Sequence, residues 1–258
     1  MTEVGKEDSN DIMKKPDNFA KLNCRYIISG TLTNISQLHV GAGTAETEFS
    51  IIDNPLIRLK IENDEIPYIP GSSLKGVIRT EVERFLKALE EKKGPTFEKI
   101  CYPYDNRSKC NTGNIERICL ACRIFGNTQV GSHFIVSDSI LKMSNFPGVK
   151  IKPGIAINRI TGSTQRGALY EIETLQPGGI FDFEFQIINI NLKANNDIAR
   201  AIKFVLGELL RGWIQVGGKR STGLGQIKII DAKVTEIRPE HLETLKFDEY
   251  DLKQLLGE

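Results

Sequence analysis

The chain of 258 residues carries 34 Lys and Arg against 33 Asp and Glu, with 40% hydrophobic and 26% charged residues and a formal net charge of +1. That is enough apolar material for one large domain with insertions, and nowhere does the sequence hold the roughly 18 consecutive apolar residues of a membrane span. The near-neutral balance excludes a uniformly basic nucleic-acid binder. A polyanionic partner would require positive charge focused on one face, or action within an assembly.

Residues 1–22 form a polar leader without the apolar centre of a signal peptide, which points to a flexible segment and a cytoplasmic protein. A strand-like run follows at 24–33 (CRYIISGTLT). The stretch 38–68 reads as a long glycine-bearing loop containing LHVGAG and SIIDNP. Next, Leu74, Val77, Ile78, Val82, Phe85, Leu86 and Leu89 fall at helical spacing after PGSS, whose serines suit the first turn as caps. Residues 95–130 hold four of the five cysteines. Strand-like runs return at 133–141 and 180–190, the latter with Phe181, Phe183, Phe185 and Ile187 on one face. Between them, 150–173 has no core-forming periodicity and reads as a projecting arm. Ile198, Ile202, Val205, Leu206, Leu209 and Leu210 predict a second helix after NND, and 225–234 a last strand. The tail, 239–258, reads as a short weak helix.

The order strand, helix, strand, strand, helix, strand is an α+β pattern of the ferredoxin-like, RRM-like type, here with inserted loops between residues 23 and 238. Many unrelated functions share that fold, so the sites have to carry the functional argument.

Cys101, Cys110, Cys119 and Cys122 lie in a polar, turn-rich stretch ending in CLAC. Four thiols with little core of their own suit a tetrahedral structural zinc. A redox pair at Cys119 and Cys122 is the rival, and it lacks the strand–helix setting such pairs use. Cys24 falls in a strand pattern and reads as an inert core thiol.

GGKRSTGLG, from Gly217 to Gly225, has the composition of a phosphate cradle. It fails the mononucleotide spacing, because Lys219 is followed by arginine, and the dinucleotide spacing, because Lys228 stands where a third glycine is needed. A turn with solubilising charges is the plain alternative. Gly217, Gly218, Lys219, Arg220 and Ser221 are better matched to an extended polyanion. A second anion site is expected where Gly71, Ser72 and Ser73 open a helix, with Lys75 and Arg79 in its first turns. His39, beside two glycines, could be a base, a ligand, a stacking group or a turn histidine. Asp53, before Asn-Pro, is first of all a turn signal.

Taken in order, LHVGAG, DNPLIR, IPYIPGSSLKGVIR, CLACRIFG, INRITG with ALYEIE, and GGKRSTGLGQIKI resemble the RAMP superfamily of CRISPR-associated proteins. More narrowly, they resemble the repeated backbone subunit of type III effector complexes, over residues 26–233. The resemblance implies copies stacked along a CRISPR guide RNA with other effector subunits, and an arm at 150–173 acting as a thumb that interrupts the duplex with single-stranded target RNA. It implies a metal-dependent endoribonuclease in which Asp53, with Mg²⁺ or another divalent ion, serves 2′-OH attack at each interruption. His39, Ser72, Ser73, Lys75, Arg79, Arg159 and Lys219–Ser221 would then face RNA. Glu46 and Glu48 add acids near Asp53. A non-cleaving scaffold of the same complex and a guide-processing nuclease with a histidine base are the other roles within the resemblance.

Overall fold

The protein is described here by a computed structural model, which covers residues 19–43, 53–101, 110 and 118–257. Most of the predicted leader, the loop stretch bearing Glu46 and Glu48, and most of the chain between the cysteines lie outside these residues.

The strands are β1 (Arg25–Asn34), β2 (Arg58–Ile61), β3 (Asp64–Ile69), β4 (Phe134–Val136), β5 (Ser139–Leu141), β6 (Val149–Ile157), β7 (Thr164–Leu175), β8 (Ile180–Ile188), β9 (Ile214–Gln215), β10 (Gln226–Ile237) and β11 (Asp248–Asp251). The helices are α1 (Gly71–Lys93), α2 (Leu120–Phe125), α3 (Asp197–Arg211) and α4 (Leu252–Leu256). Among the described residues, one antiparallel sheet takes the order β11-β10-β1-β8-β5-β3-β2, while β4 also pairs with β8 and β9 with β10. Among the named strands β6 pairs with β7 alone, and the two form a separate ribbon.

The alternation expected of β8 is realised: Phe181, Phe183, Phe185 and Ile187 are buried and Asp182 is exposed. β1 matches it with Tyr26, Ile28 and Leu32. In β10 the register to β1 slips between Thr31 and Leu32, leaving Ile230 unpaired. That bulge moves the inward set from Ile227 and Ile229 to Ala232 and Val234, so the strand keeps its apolar side on the core despite a break in period two. The opposite face stays open, with Asp182, Lys228 and Lys233 exposed.

α1 lays Leu74, Ile78, Val82 and Leu86 on the core at four-residue steps, and α3 adds Ile198, Ile202, Val205, Leu206 and Leu209. The two helices meet through Phe85 and Phe204, whose ring centroids are 4.9 Å apart. α3 starts where the Asn196 side chain accepts from the Ala199 amide and stops at Gly212 in the left-handed conformation. α1 departs from expectation. Its N-cap is Pro70, no serine side chain caps it, and the Gly71 amide instead donates 2.7 Å to the Asp138 carboxylate. A residue 67 positions away does the work expected of Ser72 and Ser73.

Three strands were not legible in the sequence. The second half of the predicted 38–68 loop forms the β2–β3 hairpin, and the tail adds β11 to the sheet edge; the helix expected in the tail is α4, which buries Leu252 and Leu255. β2 and β11 have four residues each and bury none, and β3 buries only Pro67 and Ile69, so the period-two signal is weak; pairing with an existing edge stabilises them. No helix among the described residues is long and apolar enough to cross a membrane.

Candidate nucleic-acid interface and metal centre

Where the β6–β7 ribbon leaves the sheet, three segments distant in sequence meet. The Leu38 and Leu175 backbones exchange hydrogen bonds of 3.0 and 2.8 Å. Asn54 pairs with β7 in parallel fashion, its amide donating to the Glu171 carbonyl and its carbonyl accepting from the Glu173 amide. This pairing carries Asp53 onto the ribbon root. Its side chain is exposed, and one carboxylate oxygen accepts a 2.8 Å hydrogen bond from the Glu171 amide.

His39 is buried at the same root, only 7% exposed. Its Nδ1 lies 2.7 Å from the Glu173 carbonyl oxygen and donates to it, and the opposite edge of the ring faces Gly41 and Gly218. Beneath it the Glu173 carboxylate accepts from Arg58 and from the Leu56 amide. Burial alone would raise the Glu173 acid, but the Arg58 hydrogen bonds, the Leu56 amide and the Arg58 charge hold it below the usual carboxylate range.

The glycine-rich loop reaches this root as well. The Gly218 amide donates 2.8 Å to the His39 carbonyl, and the Gly225 amide 2.8 Å to that of Gln37. A Cβ at Gly217, whose φ is +85°, would lie 2.2 Å from the His39 carbonyl oxygen. Glycine there permits close approach of protein backbone rather than of a ligand. The amides of Thr222, Gly223 and Leu224 also donate inside the loop. The expectation that these amides would cradle phosphate is thus overturned in part, and the exposed groups are the side chains of Lys219, Arg220 and Ser221. Lys219 Nζ donates 2.8 Å to the Tyr170 hydroxyl and lies 4.3 Å from the centroid of that ring.

The cations of α1 point elsewhere. Lys75 Nζ donates to the Ser132 hydroxyl at 2.8 Å, and Arg79 spans Glu83, the Gly126 carbonyl and the Cys122 sulfur, the last at 3.7 Å. Burial, and then the neighbouring Arg79 charge, lower the Lys75 amine. Ser72 is exposed on the first turn and Ser73 half-buried. Arg159 is exposed at the ribbon tip, where Asn158 ties the turn through the Ile160 and Thr161 amides.

Cys101, Cys110, Cys119 and Cys122 converge, with their sulfurs all within 4.8 Å of one another. Cys101 lies 3.6 Å from both Cys119 and Cys122, and all the cysteines are free thiols. A disulfide needs about 2.05 Å, whereas sulfurs placed tetrahedrally about 2.3 Å from a zinc-sized ion stand about 3.8 Å apart. The spacing and donor type fit a metal. Hydrogen bonding from Cys122 draws the Cys119 thiol down, and the same contact pushes Cys122 up. A cation would let all four ionise, and the Arg79 guanidinium adds charge of the same sense. Cys24 sits apart, its thiol pushed up to about 11 by burial.

The model of the RAMP superfamily matches residues 31–228, which take in the ribbon, the glycine-rich loop and the strands β2–β9. The chain belongs to the RAMP superfamily. It is 30% identical over 223 residues to a protein of Methanocaldococcus jannaschii named CRISPR system Cms endoribonuclease Csm3, covering 83% of this chain and 82% of the relative. A protein of the same name from Mycobacterium tuberculosis is 27% identical, with 80% and 86% covered. The CRISPR system Cmr endoribonuclease Cmr4 of Pyrococcus furiosus is 26% identical over 49% of this chain and 44% of the relative.

Sequence reasoning did not find Arg58, Tyr170, Glu171 or Glu173. The run YEIE does carry a signal, an aromatic and two acids alternating in a strand-length arm, but its partners come from segments more than 40 residues away. Nor did it find Glu236, a fully buried acid that accepts from Tyr26, Tyr250, Lys193 and Arg238.

Proposed function

We propose that this RAMP protein is the repeated backbone subunit of a type III CRISPR complex, holding guide RNA and cleaving complementary target RNA at Asp53. The observation that carries the reading is the exposed Asp53 carboxylate, pinned to the ribbon root and joined through β7 to the basic glycine-rich loop. The relatives' endoribonuclease names agree with it.

In this reading the elements β1, α1, β4/β5, β8, α3 and β10, with β10-β1-β8-β5 at the centre of the sheet, form a ferredoxin-like palm. The ribbon is the thumb. Its exposed Ile151, Ile155, Ile157, Ile160 and Leu169 supply apolar surface that inserts between stacked bases, with Arg159 at the tip. Lys219, Arg220 and Ser221 grip the sugar-phosphate chain by their side chains, and Ser72 extends the contact. The four cysteines hold a structural zinc. The protein acts in the cytoplasm, where such thiols stay reduced.

Insertion of the thumb turns one nucleotide out of the duplex, so that its 2′-oxygen stands in line with the adjacent phosphorus. The 2′-hydroxyl gives its proton to solvent and its oxygen bonds to phosphorus, while the phosphorus–5′-oxygen bond breaks and the leaving oxygen takes a proton from solvent, giving a 2′,3′-cyclic phosphate and a 5′-hydroxyl. Positioning supplies much of the rate. A single exposed carboxylate, one oxygen already held by an amide, suits a divalent ion that keeps most of its waters, such as Mg²⁺, which would supply neutralisation of charge on the phosphate oxygens. Asp53 would hold such an ion, and the Glu171 amide fixes the direction of the carboxylate. The buried, engaged His39 favours this chemistry over guide processing by a histidine base.

The test is a complex assembled with Asp53→Ala. Guide RNA is retained and target cleavage with Mg²⁺ is lost; unchanged cleavage refutes the assignment.

A further inference from the structure

Lys219 and Asp53 are separated by 166 positions in the chain, yet two contacts on neighbouring residues of β7 connect them. Lys219 is bound to the side chain of Tyr170, and Asp53 to the backbone of Glu171. Both ends of the connection are rigid. The Tyr170 ring lies across Gly154 of β6, so closely that a Cβ there would come within 2.2 Å of the ring. Lys219 is itself in the left-handed conformation at φ 57°, unusual for a non-glycine residue, and is held there by the Thr222 and Leu224 amides and the Thr222 hydroxyl, which donate to its carbonyl. On the far side, the Asn54 backbone bonds β7 on both sides of Ile172, donating to the Glu171 carbonyl and accepting from the Glu173 amide, and so holds the neighbouring Asp53 in place.

We propose that Tyr170 is a positioning residue, which sets the distance between the RNA phosphate held by Lys219 and the carboxylate of Asp53. An ammonium has three donors, so Lys219 can keep the Tyr170 hydroxyl while it binds a phosphate oxygen. The ring then directs Nζ toward the ribbon root, and any phosphate held there has a defined place relative to Asp53. Without the ring, the four-carbon stem of lysine leaves the phosphate free to wander by an ångström or more. That costs rate without costing much affinity. The inference rests on the proposed cleavage role of Asp53, and the experiment separates the two.

Guide-loaded complexes carrying wild-type, Tyr170→Phe, Tyr170→Leu or Asp53→Ala chains are compared for guide content, target affinity and single-turnover cleavage at saturating Mg²⁺. The leucine variant keeps Gly154 covered but loses both contacts to Lys219. It is expected to retain guide and target within about twofold while cleaving about tenfold more slowly, the split expected of lost positioning. The phenylalanine variant keeps the ring beneath Nζ and recovers most of the rate. Wild-type cleavage by the leucine variant, loss of guide, or no recovery with phenylalanine overturns the proposal. In the wild-type complex, hydrogen exchange at the Glu171 amide slows on guide loading, and exchange indifferent to the guide overturns it equally. Wild-type cleavage by Asp53→Ala would instead remove the catalytic assignment, whatever Tyr170 does.

Discussion

Arg58 grips the Glu173 carboxylate with both terminal nitrogens, Nη2 to Oε1 at 2.5 Å and Nη1 to Oε2 at 2.9 Å. The Leu56 amide adds a third hydrogen bond at 2.8 Å. This clamp sits three residues from Asp53 and holds the segment that carries it against β7. Glu173→Gln removes the charge and half the fork. It is expected to cost about 1–3 kcal/mol of stability at pH 7, the scale of a charge-assisted hydrogen bond, measured by urea unfolding. The folded-state acid is depressed, so the contribution is complete above the unfolded value of about 4.3. It disappears as pH falls through the folded value. The gap between wild type and variant therefore narrows below about pH 4; a gap independent of pH counts against the clamp.

Glu236 gives a larger effect of the same sign. Burial would raise its acid, but hydrogen bonds from Lys193, Tyr250 and Arg238 bring it down to about 2. Glu236→Ala removes the acceptor shared by the Tyr26 and Tyr250 hydroxyls, the Lys193 ammonium and the Arg238 guanidinium, and the expected loss is about 3–5 kcal/mol. Tyr26 and Tyr250 donate to this carboxylate, and both phenols are held above their ordinary range by burial and by the acid beside them. Stability from Glu236 is present above about pH 4.3 and lost as pH falls toward about 2. Acid unfolding of wild type and Glu236→Gln checks the window, because their difference should shrink only in that range.

Gly217→Ala tests whether the glycine-rich loop serves the protein or a ligand. A methyl group at this position would meet the His39 carbonyl at 2.2 Å, whereas at Gly223, with a similar positive φ, nothing lies within 4 Å. The alanine at 217 should cost about 1–3 kcal/mol through displacement of the loop from His39. At 223 only backbone strain remains, about 1 kcal/mol. Equal effects of the two variants would mean that approach to His39 is unimportant.

The cysteine cluster predicts about one zinc per chain by elemental analysis of the purified protein. Cys119→Ser should release the metal and lower the melting temperature, since metal binding to such a site is also folding energy. Full stability with no metal bound would leave the cluster as an ordinary group of buried thiols.

Much of the core was legible, because its elements obey one period each. The phenylalanines of β8 and the stripes of α1 and α3 bury the faces their spacing predicts. The four cysteines were legible too, since a metal needs donor types that sequence displays directly. The cap of α1 was not. Ser72 and Ser73 stand where a cap belongs, yet the oxygen comes from Asp138 on a neighbouring segment. Arg79 likewise reads as an anion contact but turns to Glu83 and Cys122, because the side of α1 on which it lies faces the cysteines.

From the sequence alone follow the periodic core, the thiol cluster and the motif order that resembles the superfamily, since each depends on residue type and local spacing. The ribbon root is different. Asp53, His39, Glu173, Tyr170 and Lys219 come from four segments, and their contacts arise only when Leu38 and Asn54 pair with β7 and the glycine-rich loop closes on His39. Hydrogen bonds between distant backbones leave no periodic trace in a sequence. For that reason only the tertiary structure decided that Gly217 and Gly225 meet protein backbone, and that the loop's lysine is tied to the strand holding Asp53.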